Sequence, residues 1–272
     1  LIYMKKITFA LFFVVAFAFG QQKQNGWERA GLKGMVKTYK LIGYEFDEKG
    51  KPQLMNSEFY AEFDKKGINT KMRAKNNNTV INYVDTRDEN GNVLVSDSRD
   101  ASNTSMSKNT YEYDQNGNCV RHDVLTPDGS VFMSRLTAYD SNQRVIERTE
   151  CIAGVCDDKT TYVYGDNNKV SEETKLGKDN VVKGKTVFTY DAQGNAIEKK
   201  LYDAENNLQK LVKSTFDMNN NEVETLTYDS YGNLLRKETN VYVYDKKKNW
   251  VKKTTSVGDK PTMMMKQKLK YY

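Results

Sequence analysis

The sequence holds a single histidine, His122, in 272 residues. A histidine-based catalytic dyad has nowhere else to form, and no nucleophile is marked beside it. Prolines are few (3) and so are cysteines (3). Scarce proline leaves long stretches free to pair as strands. Three cysteines make neither a disulfide framework nor a four-thiolate zinc site. Hydrophobic residues make up 38% of the chain and the mean hydropathy is −0.78. That is low for a compact double-layered core and suits a sheet with one face in water. No segment sustains a 3.6-residue apolar period. Gly-x-Ser-x-Gly, His-Glu-x-x-His and the dinucleotide fingerprint are all missing. Gly184-Lys185-Thr186 resembles the end of a phosphate loop, but the preceding Gly177 lies seven residues back where the motif needs five.

One long apolar run is present, Ile7 to Phe19, after Met4-Lys5-Lys6. It is short for a membrane span. Ala18-Phe19-Gly20 supplies small residues at the positions a signal peptidase reads. The expectation is a signal peptide over 1–20, with 1–3 upstream of a start at Met4, and an exported chain in the periplasm, outside the cell or on its surface. The remaining 21–272 read as a single domain with no stable membrane span. The net charge of +6 falls to +4 without Lys5 and Lys6 (6 − 2). This mild excess does not point to nucleic acid. From Asp245 to Tyr272 there are nine lysines and two aspartates. Such a segment contacts an acidic partner, or it is an edge strand whose lysines discourage aggregation; the second reading is favoured here.

An aromatic followed by Asp recurs along the chain. The main series falls at Tyr113, Tyr139, Tyr164 (followed by Gly165), Tyr190, Phe216 and Tyr244, in steps of 26, 25, 26, 26 and 28. Tyr202-Asp203 and Tyr228-Asp229 fall near the midpoints. A half-unit of about 13 residues suits one strand and one turn. Aromatics two apart, as in Tyr111-Glu112-Tyr113, share one face of a strand. The residues that follow read as turns: Asp114, Gly117 and Asn118; Asp191, Gly194 and Asn195; Asp229, Gly232 and Asn233. Aspartate accepts bonds from nearby backbone N–H groups, and Gly or Asn takes the positive φ of the reversal. Calcium binding by these loops would need several carboxylates on one ion, and most loops supply one. No metal and no cofactor is expected.

These spacings predict an all-β fold, an elongated antiparallel meander of about 18 strands curling into an open spiral or trough. Gly31 to Lys37 reads as an initial strand and Arg73 to Thr79 as an irregular loop. Cys151 and Cys156 bracket a Gly-containing loop and are the disulfide candidates. Cys119 reads as a half-buried strand residue. The aromatic stripes would line the concave side. Tyr113, Tyr139, Tyr164, Tyr190, Tyr244 and Trp250, with Trp27, are candidate stacking surfaces for a ligand, weighed against a packing role.

The aromatic-Asp-x-x-Gly-Asn recurrence, clearest from Tyr111 to Trp250, resembles the YD repeat of the Rhs family. The resemblance implies a spiralling β-sheet, which in long members forms a hollow shell around a toxic cargo. At this length neither such a shell nor delivery of a C-terminal cargo is expected. Short secreted proteins with a few such repeats are similar, and for these the resemblance implies sugar or cell-surface binding. The functional expectation is a non-catalytic binding or scaffold module, facing cell-envelope polysaccharide or a protein. The alternatives are a polysaccharide hydrolase using carboxylates on the concave face and a structural envelope component.

Overall fold

The structure, a computed structural model, describes residues 25–272; the expected signal peptide lies outside the described residues. A one-turn helix, α1 (Gly26–Arg29), precedes eighteen strands. They are β1 (Val36–Phe46), β2 (Pro52–Phe63), β3 (Asn69–Asn76), β4 (Thr79–Arg87), β5 (Val93–Arg99), β6 (Ser105–Tyr113), β7 (Cys119–Leu125), β8 (Val131–Tyr139) and β9 (Val145–Ile152). The second half continues with β10 (Val155–Tyr164), β11 (Val170–Leu176), β12 (Val182–Tyr190), β13 (Ala196–Tyr202), β14 (Leu208–Phe216), β15 (Glu222–Asp229), β16 (Leu234–Tyr244), β17 (Trp250–Val257) and β18 (Lys260–Tyr271). Each strand pairs antiparallel with the next, as the two-strand period requires.

The last strand also pairs with the first. β18 runs antiparallel to β1 from Val36↔Tyr271 to Glu45↔Met263. The sheet is therefore a closed up-and-down barrel, and the open spiral or trough expected above is corrected. Closure depends on twist and on strand number, which bring the two ends together whatever the chain length. It removes both edges, so the Lys-rich C-terminal segment is not an edge strand. Two smaller expectations also change. The first strand begins at Val36, after Gly31 and its neighbours. The asparagine run is a tight β3–β4 turn, with Asn77 at φ 51°, and not an irregular loop.

Antiparallel hairpins alternate between the two ends of the barrel, so the 26-residue series returns each time to one rim. Its turns span 64–68, 88–92, 114–118, 140–144, 165–169, 191–195, 217–221 and 245–249. The midpoint turns, including 203–207 and 229–233, lie at the opposite rim. Asp191 and Asp229 therefore make the same local turn at opposite ends.

The segment around α1 lies across the interior. Lys33 N–H donates to Asn249 Oδ1 in the β16–β17 turn (2.7 Å). Four residues earlier, Arg29 is held in the field of Asp85 and Arg87 on β4 and of Tyr111 and Tyr113 on β6. Along the wall, β17 and β6 are seven strand spacings apart through the seam, roughly 34 Å. Four residues reach about 14 Å. That short path exists only on the concave side, so the face that meets α1 is the inner one. The main buried cluster forms here, from Leu32, Val36, Tyr39, Leu41, Ala61 and Phe63. Trp27, Trp250, Met265 and Leu269 pack against it.

Docking of α1 is specific. Asn25 and Glu28 form a reciprocal capping box. The Trp27 indole N–H donates to the Val36 carbonyl (2.7 Å), and Gly26 N–H donates to the Gly67 carbonyl (2.7 Å). A Cβ on Gly26 would stand 2.2 Å from Asn69 Oδ1 and 2.8 Å from the Gly67 carbonyl oxygen, so only glycine fits.

Candidate functional site: the barrel interior

Each rim turn is built by its aspartate. Asp114 Oδ1 accepts from the N–H groups of Asn116 (2.9 Å) and Asn118 (2.8 Å), while Asn118 Nδ2 donates to Asp114 Oδ2 (2.9 Å). Gly117 sits at φ 81° and donates to the Asp114 carbonyl. Asp191 with Asn195 and Asp229 with Asn233 repeat the arrangement, with Gly194 at φ 84° and Gly232 at φ 86°. The Asn195 and Asn233 amides, chiefly, hold the carboxyls of Asp191 and Asp229 below the usual range. Neighbouring turns on the first rim are laced together: Asn118 Nδ2 reaches Gln143 Oε1 (2.6 Å), and Arg144 reaches Asn168 Oδ1 (2.9 Å).

The aromatic before the turn does a second job. Tyr113 donates its hydroxyl to the Val93 carbonyl (2.9 Å), Tyr139 to Cys119 (3.0 Å), Tyr164 to Val145 (2.9 Å) and Tyr190 to Val170 (2.8 Å). Each acceptor opens the strand just before the tyrosine's own. The result is a ladder of hydroxyls reaching back around the rim. Phe216 occupies the same place on β14 without a hydroxyl. On β16, Tyr242 takes the Glu222 carbonyl (3.1 Å), and Tyr244 reaches the preceding turn, bonding the Asp217 carboxylate and accepting from Asn221 Nδ2 (2.9 Å). Burial, chiefly, pushes Tyr111 and Tyr139 up to about 12. Trp250 packs edge-on to Tyr242 (6.4 Å) beside the core cluster, and Trp27 packs on Phe63 (6.4 Å). Of the candidate stacking residues, the tyrosines thus have hydroxyls tied to the frame and rings on the inner wall.

Cations lie over several of these rings. Arg144 stands 4.5 Å from the Tyr164 centroid, Arg148 5.6 Å from Tyr162 and Lys253 5.7 Å from Tyr242. Burial, chiefly, lowers the pKa of Lys253, with Glu238 and Glu222 opposing it. Arg87 pairs with Asp85 (2.7 Å) and Arg135 with Glu150 (2.7 Å). His122 stacks on Tyr111 (4.7 Å) and bonds Asn109 (2.9 Å); burial, then Arg135, lowers its pKa and favours the neutral ring. Asp85 Oδ1 is buried and meets no hydrogen-bond donor among the described residues. A cleft of about 500 Å³ opens at the rim between the 88–92 and 114–118 turns, lined in part by Tyr111, Tyr113 and Asn90. No cluster of three or more His, Cys, Asp or Glu suited to a metal occurs among the described residues.

The outer wall differs. Cross-strand partners share a face, so the register places Lys40, Glu58, Arg73, Asp97, Arg121, Asp123, Lys185 and Glu172 outside. Ion pairs stud it: Lys40 with Glu58 (2.6 Å), Arg99 with Asp97 (2.9 Å), Arg121 with Asp123 (2.8 Å) and Lys237 with Glu224 (2.9 Å). A lipid-facing barrel needs an apolar band about 25 Å tall, and charges at mid-strand interrupt any such band here. No helix among the described residues is long and apolar enough to cross a membrane. Cys151 and Cys156 are joined by a disulfide across the β9–β10 hairpin (S–S 2.01 Å), and Cys119 is free and half-buried at the start of β7. The cations over the tyrosines escaped the sequence reading, because the spacing of Arg144, Arg148 and Lys253 has no period of its own.

No family model matches the chain, and no curated protein matches it. Among solved structures, 42 chains match. A porin-like protein from Bacteroides uniformis is 10% identical with a TM-score of 0.47, over 86% of this chain and 96% of that one. The TcdB2-TccC3 structure is 14% identical with a TM-score of 0.37, over 79% of this chain and 13% of that one. A putative outer membrane lipoprotein-sorting protein domain from Vibrio parahaemolyticus is 8% identical with a TM-score of 0.21, over 86% of this chain and 84% of that one. Likeness at this level carries no functional argument.

Proposed function

We propose that the chain is an exported, non-catalytic binding barrel of YD-like repeats, whose interior takes an acidic, ring-bearing ligand such as a cell-envelope oligosaccharide. The observation that carries this reading is the inner wall of tyrosines overlaid by Arg148 and Lys253, with Arg144, already paired with Asp140 (2.7 Å), over Tyr164 at the rim. Rings offer flat apolar faces to sugars, and cations beside them neutralise carboxylates or phosphates. The ladder hydrogen bonds fix the rings in place, so little side-chain entropy remains to be lost on binding. The charged outer wall supports a barrel in water. The non-catalytic reading is favoured by Asp85, Glu150 and Glu238, interior carboxylates each committed to an arginine, although Glu173, opposite Tyr162, also lies on the inner face.

Calorimetric titration of the full chain with acidic and neutral oligosaccharides tests the reading. Acidic ligands bind, and Lys253→Ala weakens them severalfold. Equal binding of both classes, or of neither, overturns it. Release of new reducing ends from the ligand supports the hydrolase instead.

A further inference from the structure

One feature is explained neither by the fold nor by the interior: the outer face of the seam that closes the barrel. Lys252 on β17 stands opposite Lys266 on β18, and Lys268 on β18 stands opposite Lys40 on β1. Like charges directly across a ladder destabilise it. Lys270 continues the row on β18, opposite Thr38. Lys40 is neutralised by Glu58 (2.6 Å). Among the described residues no carboxylate pairs with Lys252, Lys266, Lys268 or Lys270; Lys266 instead lies over the Tyr44 ring (5.0 Å). Elsewhere on the outer wall some mid-strand lysines find partners, as Lys159 does in Glu147 (3.2 Å) and Lys237 in Glu224 (2.9 Å).

An open sheet would use such lysines to guard an edge. The barrel has no edge there, since β18 is paired on both sides. Apart from the contact of Lys266 with Tyr44, the row gives the fold no ion pair among the described residues, and its two lysine–lysine oppositions work against closure. Beside them on β16, Val243 faces Lys252 and Val241 faces Thr254. These valines are 50% and 66% exposed on the outer wall. Lysines on one strand at alternate residues stand about 7 Å apart. The seam thus presents a straight basic row flanked by exposed aliphatic side chains, on a convex surface.

We propose that this seam docks the barrel against an anionic lipid bilayer surface. A convex wall meets a plane along a line parallel to the barrel axis, from which strands tilt; Lys266, Lys268 and Lys270 on β18 span only about 14 Å and, with Lys252 beside Lys266 on β17, stay close to such a line. Lysine ammonium groups attract anionic headgroups within a Debye length, and the valines enter the headgroup boundary. An extended soluble polyanion would use the lysines but gain nothing from Val241 and Val243, so the bilayer is the occupant favoured. The barrel stays outside the hydrocarbon, in keeping with its charged wall.

The test uses the full chain and vesicles of phosphatidylcholine, with and without 30% phosphatidylglycerol, in sedimentation at low and physiological salt. The expected result is preferential binding to the anionic vesicles, weakened by salt. Each lysine contributes about fivefold to the partition coefficient. A variant with Lys252, Lys266, Lys268 and Lys270 all changed to Gln should lose at least tenfold, while its thermal midpoint stays the same or rises as the like-charge opposition is relieved. Val241→Ser with Val243→Ser should lower the salt-resistant part of binding. No preference for anionic vesicles, or an unchanged preference in the lysine variant, overturns the proposal. Displacement from the vesicles by soluble polygalacturonate at equal charge reassigns the row to a polysaccharide and overturns it too.

Discussion

Replacing Tyr113, Tyr139, Tyr164 and Tyr190 by Phe removes four ladder hydroxyls and nothing else. Each hydroxyl donates to a strand-opening carbonyl at 2.8–3.0 Å. A hydrogen bond of this kind contributes about 1 kcal/mol net. Successive rungs are two strands apart, roughly 10 Å, far enough for their effects to add. The quadruple variant should therefore lose about 4 kcal/mol, a large share of the roughly 5–15 kcal/mol that holds a domain folded. Phe216, already a rung without a hydroxyl, shows that the ring alone fits the position. The assay is urea unfolding followed by circular dichroism and by the fluorescence of Trp27 and Trp250. Each single Tyr→Phe change should shift the midpoint, and the four shifts should sum. A quadruple variant within about 0.5 kcal/mol of the parent would show that the hydroxyls hold nothing, and the ladder would be a packing pattern only.

Gly26→Ala should undock α1, because its Cβ meets Asn69 and the Gly67 carbonyl; Trp27 fluorescence should shift to the red while the strand signal in circular dichroism persists. Tyrosines of the inner wall should ionise late. Tyr111 and Tyr139 are raised to about 12 by burial, so the stability they contribute is complete below the ordinary tyrosine pKa near 10 and is lost as pH climbs toward 12; absorbance at 295 nm should show a late, cooperative phase that coincides with unfolding. The turn aspartates act at the other extreme. The carboxyls of Asp88, Asp191 and Asp229 are held low, first by the amides of Asn92, Asn195 and Asn233, so their contribution is present above the usual aspartate range and lost as pH falls through the depressed values; Asp191→Asn should flatten that acid limb.

The hairpins were legible because each carries its own chemistry in five contiguous residues. Asp114, Gly117 and Asn118 specify a reversal without help from the rest of the chain. Strand number followed from the spacing. Closure was not legible, because β1 and β18 lie at opposite ends of the sequence and neither carries a motif that names the other. The nine lysines and two aspartates from Asp245 to Tyr272 invited the edge-strand reading, which holds only for an open sheet. β3 was read in part as a loop for a related reason. With Lys71, Arg73 and Lys75 outside and Met72 and Ala74 inside, its alternation is weak, and the asparagines beyond it mimic disorder. The inner wall was half legible. Its tyrosines have a period, whereas the arginines and the lysine laid over them were chosen one site at a time.

The sheet closes through β1 and β18. Lys40 and Lys268 are direct partners across that seam and point outward, where oxidant can reach them. The variant carrying Lys40→Cys and Lys268→Cys in a Cys119→Ser background tests it, with the new bond read by peptide mass after digestion at low protein concentration. The closed barrel predicts rapid, quantitative formation of an intramolecular 40–268 disulfide in the folded monomer. Two thiols that stay free while the protein is folded, or that bond only between molecules, would mean an open sheet and contradict the account.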